Sequence, residues 1–313
     1  MPEAAYEGIS TAARWREYPH PQAHCAAWNV LWYDPTAAPA PPDDLAPSRL
    51  FPNLRLAVLR SSWEGDATVL SLGCAPLAGH GTARRIGSGE AIPPGSLYHR
   101  HAGYNAVALF TQGRYWIVPP GYARRDSRFQ NTISVNGAQL LPDPTLQPEI
   151  TAFVTNPEYT YVRGDAGAVF PAQAGVRRFR RHVLWLAPGW LVLLDEVELA
   201  DTGTRGWNRF EWALHNTPQV SHVYPAGAGA VWSNGCGARL QMHVFAPAAL
   251  AWDHSLFMAQ DGQVALEALR LSAPEWYSSP MRVLAAWQCR LGDAQLARLS
   301  SEGRLGAHAG DKR

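Results

Sequence analysis

Residues 96–139 read SLYHRHAGYNAVALFTQGRYWIVPPGYARRDSRFQNTISVNGAQ, and the polar chemistry of the chain gathers in this stretch. His99 and His101 stand one residue apart, just ahead of the apolar run 106–110. Imidazole titrates near neutrality and serves as proton carrier or metal ligand. If a strand begins by Tyr98, positions i and i+2 share a face and both rings meet one surface. After Pro119-Pro120-Gly121 come Tyr122 and the cations Arg124, Arg125 and Arg128, then the amides of Gln130 and Asn131. Arginine suits carboxylates, and amides suit hydroxyls. Each piece also has a plain structural explanation. A lone histidine is usually a surface or satisfied core residue, Asn136-Gly137 is a hairpin turn, and loop arginines are usually solvated.

The elements that must position these groups are strands. Apolar or alternating runs recur at 54–60, 67–73, 105–110, 115–118, 132–135, 159–162, 180–186, 190–196, 210–214, 239–245, 264–271 and 282–288, with Gly, Pro, Asn and Asp at the breaks. Gly113-Arg114 is expected to turn the second run of the site stretch back on the first. Three such strands would collect the polar groups at their ends, as one sheet presenting a site. Many short strands without alternating long helices predict an all-β fold, a large antiparallel β-sandwich. Residues from about 10 to 33 read as helical pieces, and the proline-rich run 36–48 as a linker. The expected organisation is therefore a helical segment with its linker over 1–48 and a sandwich domain over 49–313.

Composition narrows the function classes. With 47% hydrophobic and 17% charged residues, the 313-residue chain can build a sizeable core. Its net charge of +1 argues against general attraction to nucleic acid or an anionic membrane. The four cysteines are scattered without a C-x-x-C pair, so neither a disulfide framework nor a structural zinc cluster is expected. No 18-residue apolar run is present, and the first residues carry no apolar core of signal-peptide length.

The order of residues says more than composition. The stretch resembles the core motif of the heparinase II/III-like polysaccharide lyases, approximately H-x-H-x-D-x-N-S-F-x-L, then G-x-x-L-L-x-D-x-G-x-Y, then H-N-T-x-x-V-D-G-x-x-Q. His99, His101, Asn105 and Leu109 fall in register, followed by Gly113, Gly121, Asn131-Thr132, Val135-Asn136-Gly137 and Gln139. The passage RRHVLWLAPGWLVLLDEVEL resembles a second family segment and reads as a hairpin over 180–196. The departures are Gly103 and Pro119 where the family has acids, and Gln130 where it has histidine. The resemblance implies a sandwich that follows an α/α toroid, with at most the last toroid helices in this chain. It also implies a usually periplasmic or secreted family, although this sequence itself assigns no compartment.

By resemblance, the activity is cleavage of uronate-containing acidic polysaccharide by β-elimination. A base takes the C5 proton, an acid protonates the departing C4 oxygen, and the carboxylate charge must be neutralised. His99 and Tyr122 match catalytic positions, while Arg100, Asn105, Arg124, Gln130 and Asn131 are candidate carboxylate or hydroxyl binders. An asparagine, a histidine and a tyrosine of the machinery would sit on the toroid, whose place a separate partner chain could take, so the 313 residues alone are expected to be inactive or weak. In zinc-containing members the metal is held at the positions of His101, Pro119 and Gln130. Two of the three ligands are absent, so no cofactor and no tightly bound zinc are expected. The alternative is a noncatalytic carbohydrate-binding or assembly module derived from such a lyase.

Asp195 and Glu196 look like an acid pair, but neighbours in a strand point to opposite faces and cannot converge on one bond. Arg178 and Arg180 share a face, and a charged sheet edge is the leading account of them. His215 is expected to be structural. Most of the 13 tryptophans are expected in the sandwich core.

Overall fold

A computed structural model describes residues 36, 42, 44–65, 67–77, 79–92, 101–118, 126–141, 143–186, 189–200, 208–216, 222–226, 229–233, 239–246, 250–258, 265–276 and 281–289. The helical pieces expected before residue 34 lie outside these. The chain divides into two units, Met1–Ala46 and Pro47–Arg313, and the sheets belong to the second.

The described strands are β1 (Arg49–Phe51), β2 (Leu56–Arg60), β3 (Val69–Gly73), β4 (Ala106–Thr111), β5 (Arg114–Ile117), β6 (Ile133–Val135), β7 (Glu149–Thr155), β8 (Tyr159–Asp165), β9 (Val176–Leu186), β10 (Trp190–Leu199), β11 (Asn208–Asn216), β12 (His222–Ala226), β13 (Gly229–Ser233), β14 (Arg239–Phe245), β15 (Ala251–Met258), β16 (Ala265–Trp276) and β17 (Met281–Cys289). One α-helix is described, α1 (Gly79–Gly87). All strand pairs are antiparallel and form three sheets: β1-β2-β3-β4-β5, β12-β13-β14-β17-β10-β9-β8-β7 and β15-β16-β11-β6. The chain is thus an all-β antiparallel sandwich.

The alternation that built this expectation is visible in the long hairpin. β9 and β10 pair from Trp190 opposite Leu186 to Glu198 opposite Arg178. Phe179, Arg181, Val183 and Trp185 point inward from β9, and every second residue between them faces outward. The eight-stranded sheet packs on the other two. Trp212 of β11 meets Trp287 of β17 with ring centroids 6.1 Å apart, and Ala57, Leu109, Val183, Leu193, Trp212 and Leu271 share one core. Each such large apolar side chain contributes about 1.5–3 kcal/mol on burial. Trp116, Trp185, Trp212, Trp232 and Trp287 are buried, whereas Trp190 is exposed.

Several local expectations are corrected. β4 and β5 lie in the five-stranded sheet but β6 lies in the four-stranded one, so the three site strands do not form one sheet. The β4–β5 turn is Gln112-Gly113, with φ of 54° and 77°, and Arg114 opens β5 opposite Thr111. Both positive φ values mark the primed two-residue turn whose twist matches a hairpin. β9 is not an edge, since it runs between β10 and β8. Its arginines meet acids on neighbouring strands instead: Arg178 with Glu198 at 2.7 Å, Arg180 with Asp165 at 2.8 Å, and Arg181 with Asp195.

Candidate functional site

Two loops form the described part of the site: one running from His101 into β4, the other from Ser127 through Gln130 into β6. Both end on Arg181. Its guanidinium donates to Asp195 through Nε at 2.7 Å and Nη2 at 2.6 Å. Nη1 donates to the carbonyl of Asn105 at 2.5 Å and to that of Asn131 at 2.7 Å. Arg181 and Asp195 are 0% and 1% exposed. A buried guanidinium needs both a counter-charge and acceptors for its remaining N–H groups, and here the acceptors are the two loop carbonyls. Charge in the core is thereby converted into loop position. Asp195 faces this core while Glu196 faces outward to Arg282, as strand alternation requires.

Asn131 ties the layers further. Its Nδ2 donates to Val107 O at 2.8 Å, and its Oδ1 accepts from the backbone N–H of His215 at 2.8 Å. The same Oδ1 lies 3.1 Å from His215 Nδ1, which must therefore carry the ring proton. His215 is buried, which pushes its pKa down to about 3, with the Arg270 charge adding to the effect. Thr132 Oγ1 donates to Tyr104 O at 2.9 Å. Asn105 adopts φ 55° and donates to Gly164 O at 3.3 Å. A Cβ on Gly164 would stand 1.9 Å from Asn105 Oδ1, so only glycine leaves room for this amide.

Within this frame His101 Nδ1 lies 3.2 Å from Gln130 Nε2. An amide NH2 only donates, so Nδ1 accepts and the ring proton sits on Nε2. The imidazole can then act as a donor toward a carboxylate or hydroxyl. Gln130 is buried and His101 is partly exposed. Gly103 lies against the same glutamine, since a Cβ there would meet Gln130 Oε1 at 3.4 Å.

The sequence-derived candidates thus separate. His101 and Gln130 are brought together. Asn105 and Asn131 are fully buried. Asn131 meets the backbone through both amide atoms, whereas Asn105 donates through Nδ2 to Gly164 O and its Oδ1 has no hydrogen-bond partner among the described residues. His99, Arg100, Tyr122 and Arg124 lie outside the described residues. His101 itself sits in irregular chain, and β4 begins only at Ala106, so the shared strand face inferred for the histidine pair does not extend to it. Arg128 is exposed and lies over the Phe129 ring, as a solvated loop cation does. No group of three His, Cys, Asp or Glu side chains converges among the described residues, and positions 99 and 119 lie outside them. Arg181 was not singled out by sequence alone, because within Arg177-Arg178-Phe179-Arg180-Arg181 only its inward register distinguishes it.

The family model for the heparinase II/III-like C-terminal domain matches residues 43–274. No curated protein matches the sequence. Among solved structures, a heparinase III with methylated lysines superposes with a TM-score of 0.63 at 12% identity, covering 87% of this chain and 41% of that one. A second crystal structure of heparinase III gives 0.59 at 12% identity, with coverages of 79% and 37%. Heparan sulfate lyase HepC from Pedobacter heparinus gives 0.59 at 13% identity, with coverages of 93% and 43%. At these identities the likeness concerns the fold, and the chain spans well under half the length of each structure. With the ordered motif set into the sandwich and the family model covering most of its length, the chain belongs to the heparinase II/III-like C-terminal domain family.

Proposed function

We propose that this chain is the sandwich part of a lyase that cleaves uronate-containing acidic polysaccharide by β-elimination. The observation that carries it is the Arg181 clamp, which sets His101 beside Gln130 at the motif positions. In this role His101 Nε2–H binds the uronate carboxylate or a neighbouring hydroxyl. Neutralising that carboxylate makes the C5 proton easier to remove. His99 and Tyr122 are the proposed proton carriers, with Arg100 and Arg124 as further carboxylate contacts. The remaining catalytic groups come from a toroid, in the same polypeptide or a partner.

A noncatalytic carbohydrate-binding or assembly role is the second reading. It is favoured by the Gln130 amide resting on the imidazole and by the burial of both motif asparagines. One experiment separates the two. The chain is titrated with heparan sulfate and polygalacturonate oligosaccharides, alone and with a toroid domain from a structural relative, while unsaturated uronate ends are followed by ultraviolet absorbance. The lyase reading expects saturable binding weakened by His101→Ala, little elimination alone, and elimination once the toroid is supplied. Binding without elimination in both settings supports the binding module. Robust turnover by the 313 residues alone would refute the dependence on a toroid.

A further inference from the structure

Away from the motif, the turn after β1 approaches α1 and β7 around a groove of about 350 Å³. Its lining is Leu50, Pro52, Asn53, Arg55, His80, Arg84 and Ile150. Arg55 has a φ of 46°, a left-handed conformation that a non-glycine side chain rarely adopts. Two contacts hold it there. Its Nη1 donates to Glu149 Oε2 at 2.7 Å, and its Nε donates to His80 Nε2. The second contact makes His80 an acceptor at Nε2 and therefore a neutral ring protonated at Nδ1. Burial and the charges of Arg55 and Arg84 also hold its pKa below the ordinary histidine value, against the opposing charge of Glu149.

Arg84 stands four residues after His80, on the same face of α1. It has no carboxylate partner among the described residues, whereas Arg85 beside it pairs with Glu90. The first turn of α1 carries no acidic residue. With one carboxylate against two guanidinium groups, the groove keeps a net positive charge. Glu149 engages Nη1 of Arg55, which leaves Nη2 as a donor. Leu50, Pro52 and Ile150 add apolar surface of the kind a sugar ring's C–H face packs on, and Asn53 adds an amide for a hydroxyl. A structural ion pair alone would account for Arg55 and Glu149, but not for the second cation or the strained backbone.

We propose that this groove is an oxyanion subsite for the carboxylate or sulfate of an acidic sugar, bound by Arg55 and Arg84. It deepens the acidic-polysaccharide reading and rests on it for the saccharide, although none of its residues belongs to the His101–Gln130 pair.

The full chain is titrated calorimetrically with trigalacturonate, sulfated maltotriose, inorganic sulfate and neutral maltotriose. Arg84→Gln removes one exposed cation without touching the core. Arg55→Gly removes the other and accepts the left-handed φ, so the turn is kept. An acidic trisaccharide should bind the wild-type chain, and each variant should weaken it about tenfold, the value of one charge-assisted contact. The double variant should lose binding, with the melting temperature of Arg84→Gln unchanged. The preferred acidic probe identifies carboxylate or sulfate as the group bound. Binding of inorganic sulfate alone, no binding of either acidic sugar, or unchanged affinity in both single variants would overturn the proposal. Elimination is not read here, so a chain that binds in this groove but never eliminates leaves the subsite standing while the lyase reading falls.

Discussion

Replacing Asp195 by Asn would leave the Arg181 guanidinium buried without its counter-charge, at nearly constant shape. The carboxylate accepts from Nε at 2.7 Å and from Nη2 at 2.6 Å. An asparagine can accept one of these, and its NH2 then opposes the other donor. One charge-assisted bond is lost, about 1.5–3 kcal/mol, and the uncompensated charge brings the total to about 3–5 kcal/mol. That is a large part of the roughly 5–15 kcal/mol that holds a domain folded. The paired change Arg181→Met with Asp195→Leu removes both charges, which by itself is often neutral or stabilising. Here it also removes the Nη1 donor from the carbonyls of Asn105 and Asn131, at about 1–3 kcal/mol per unsatisfied group. Asn131 O keeps the Val107 N–H at 3.4 Å, so the deficit falls mainly on Asn105. The double variant should therefore be destabilised, but less than Asp195→Asn. Urea unfolding measures both, and the His101 ring resonances should shift in both as the two loops lose their clamp. A loss below about 1 kcal/mol for Asp195→Asn, or a double variant no more stable than that single one, would refute the reasoning.

Gly164→Ala should destabilise by about 1–3 kcal/mol through overpacking against Asn105. Adding Asn105→Gly, which accepts the φ of 55° and clears the space, should recover part of that loss in the same urea measurement. Cys74 is buried and its thiol is pushed up to about 12, so alkylation mapped by mass spectrometry should leave it unlabelled until the chain unfolds. For His215 the unfolded chain takes up its proton near 6.5 and the folded chain only near 3. Its contribution is therefore intact above about pH 6.5 and declines toward pH 3 by at most about 1.4 kcal/mol per unit. His215→Gln should flatten the acid limb of a stability–pH curve over that interval, and an unchanged slope would show that His215 is not the group responsible.

How far the fold could be read depended on how cleanly each strand alternates. β9 and β10 alternate along nearly their whole length, because one face meets the core and the other carries cross-strand ion pairs. Their hairpin was legible from residues alone. β7 was not, since its register shifts between Ile150 and Ala152 and breaks the period of two. β12 contains Pro225, which no central strand accommodates, but β12 is the edge of its sheet and an edge tolerates proline. α1 has three glycines in its nine residues and shows little helix propensity. These omissions share one cause: the position in the sheet or the partner decides the conformation, and neither is local.

The site divides along the same line. The motif order made His101 and Gln130 legible, and the structure brings them within hydrogen-bonding distance. It could not tell how deeply each of these residues is buried, because Asn105, Asn131 and His101 are all polar and all near strand ends. Burial and hydrogen bonding distinguish them: both asparagines lie at 0% exposure, but Asn131 has both amide atoms bonded to backbone. Asn105 bonds only through Nδ2 and leaves its Oδ1 without a partner among the described residues, an arrangement that costs free energy in a buried amide. The same physics explains why Arg181 was missed. An arginine in a run of four is normally a surface charge, and only the odd register of β9, with Asp195 opposite on β10 and two loop carbonyls above it, turns this one into the point that fixes the site.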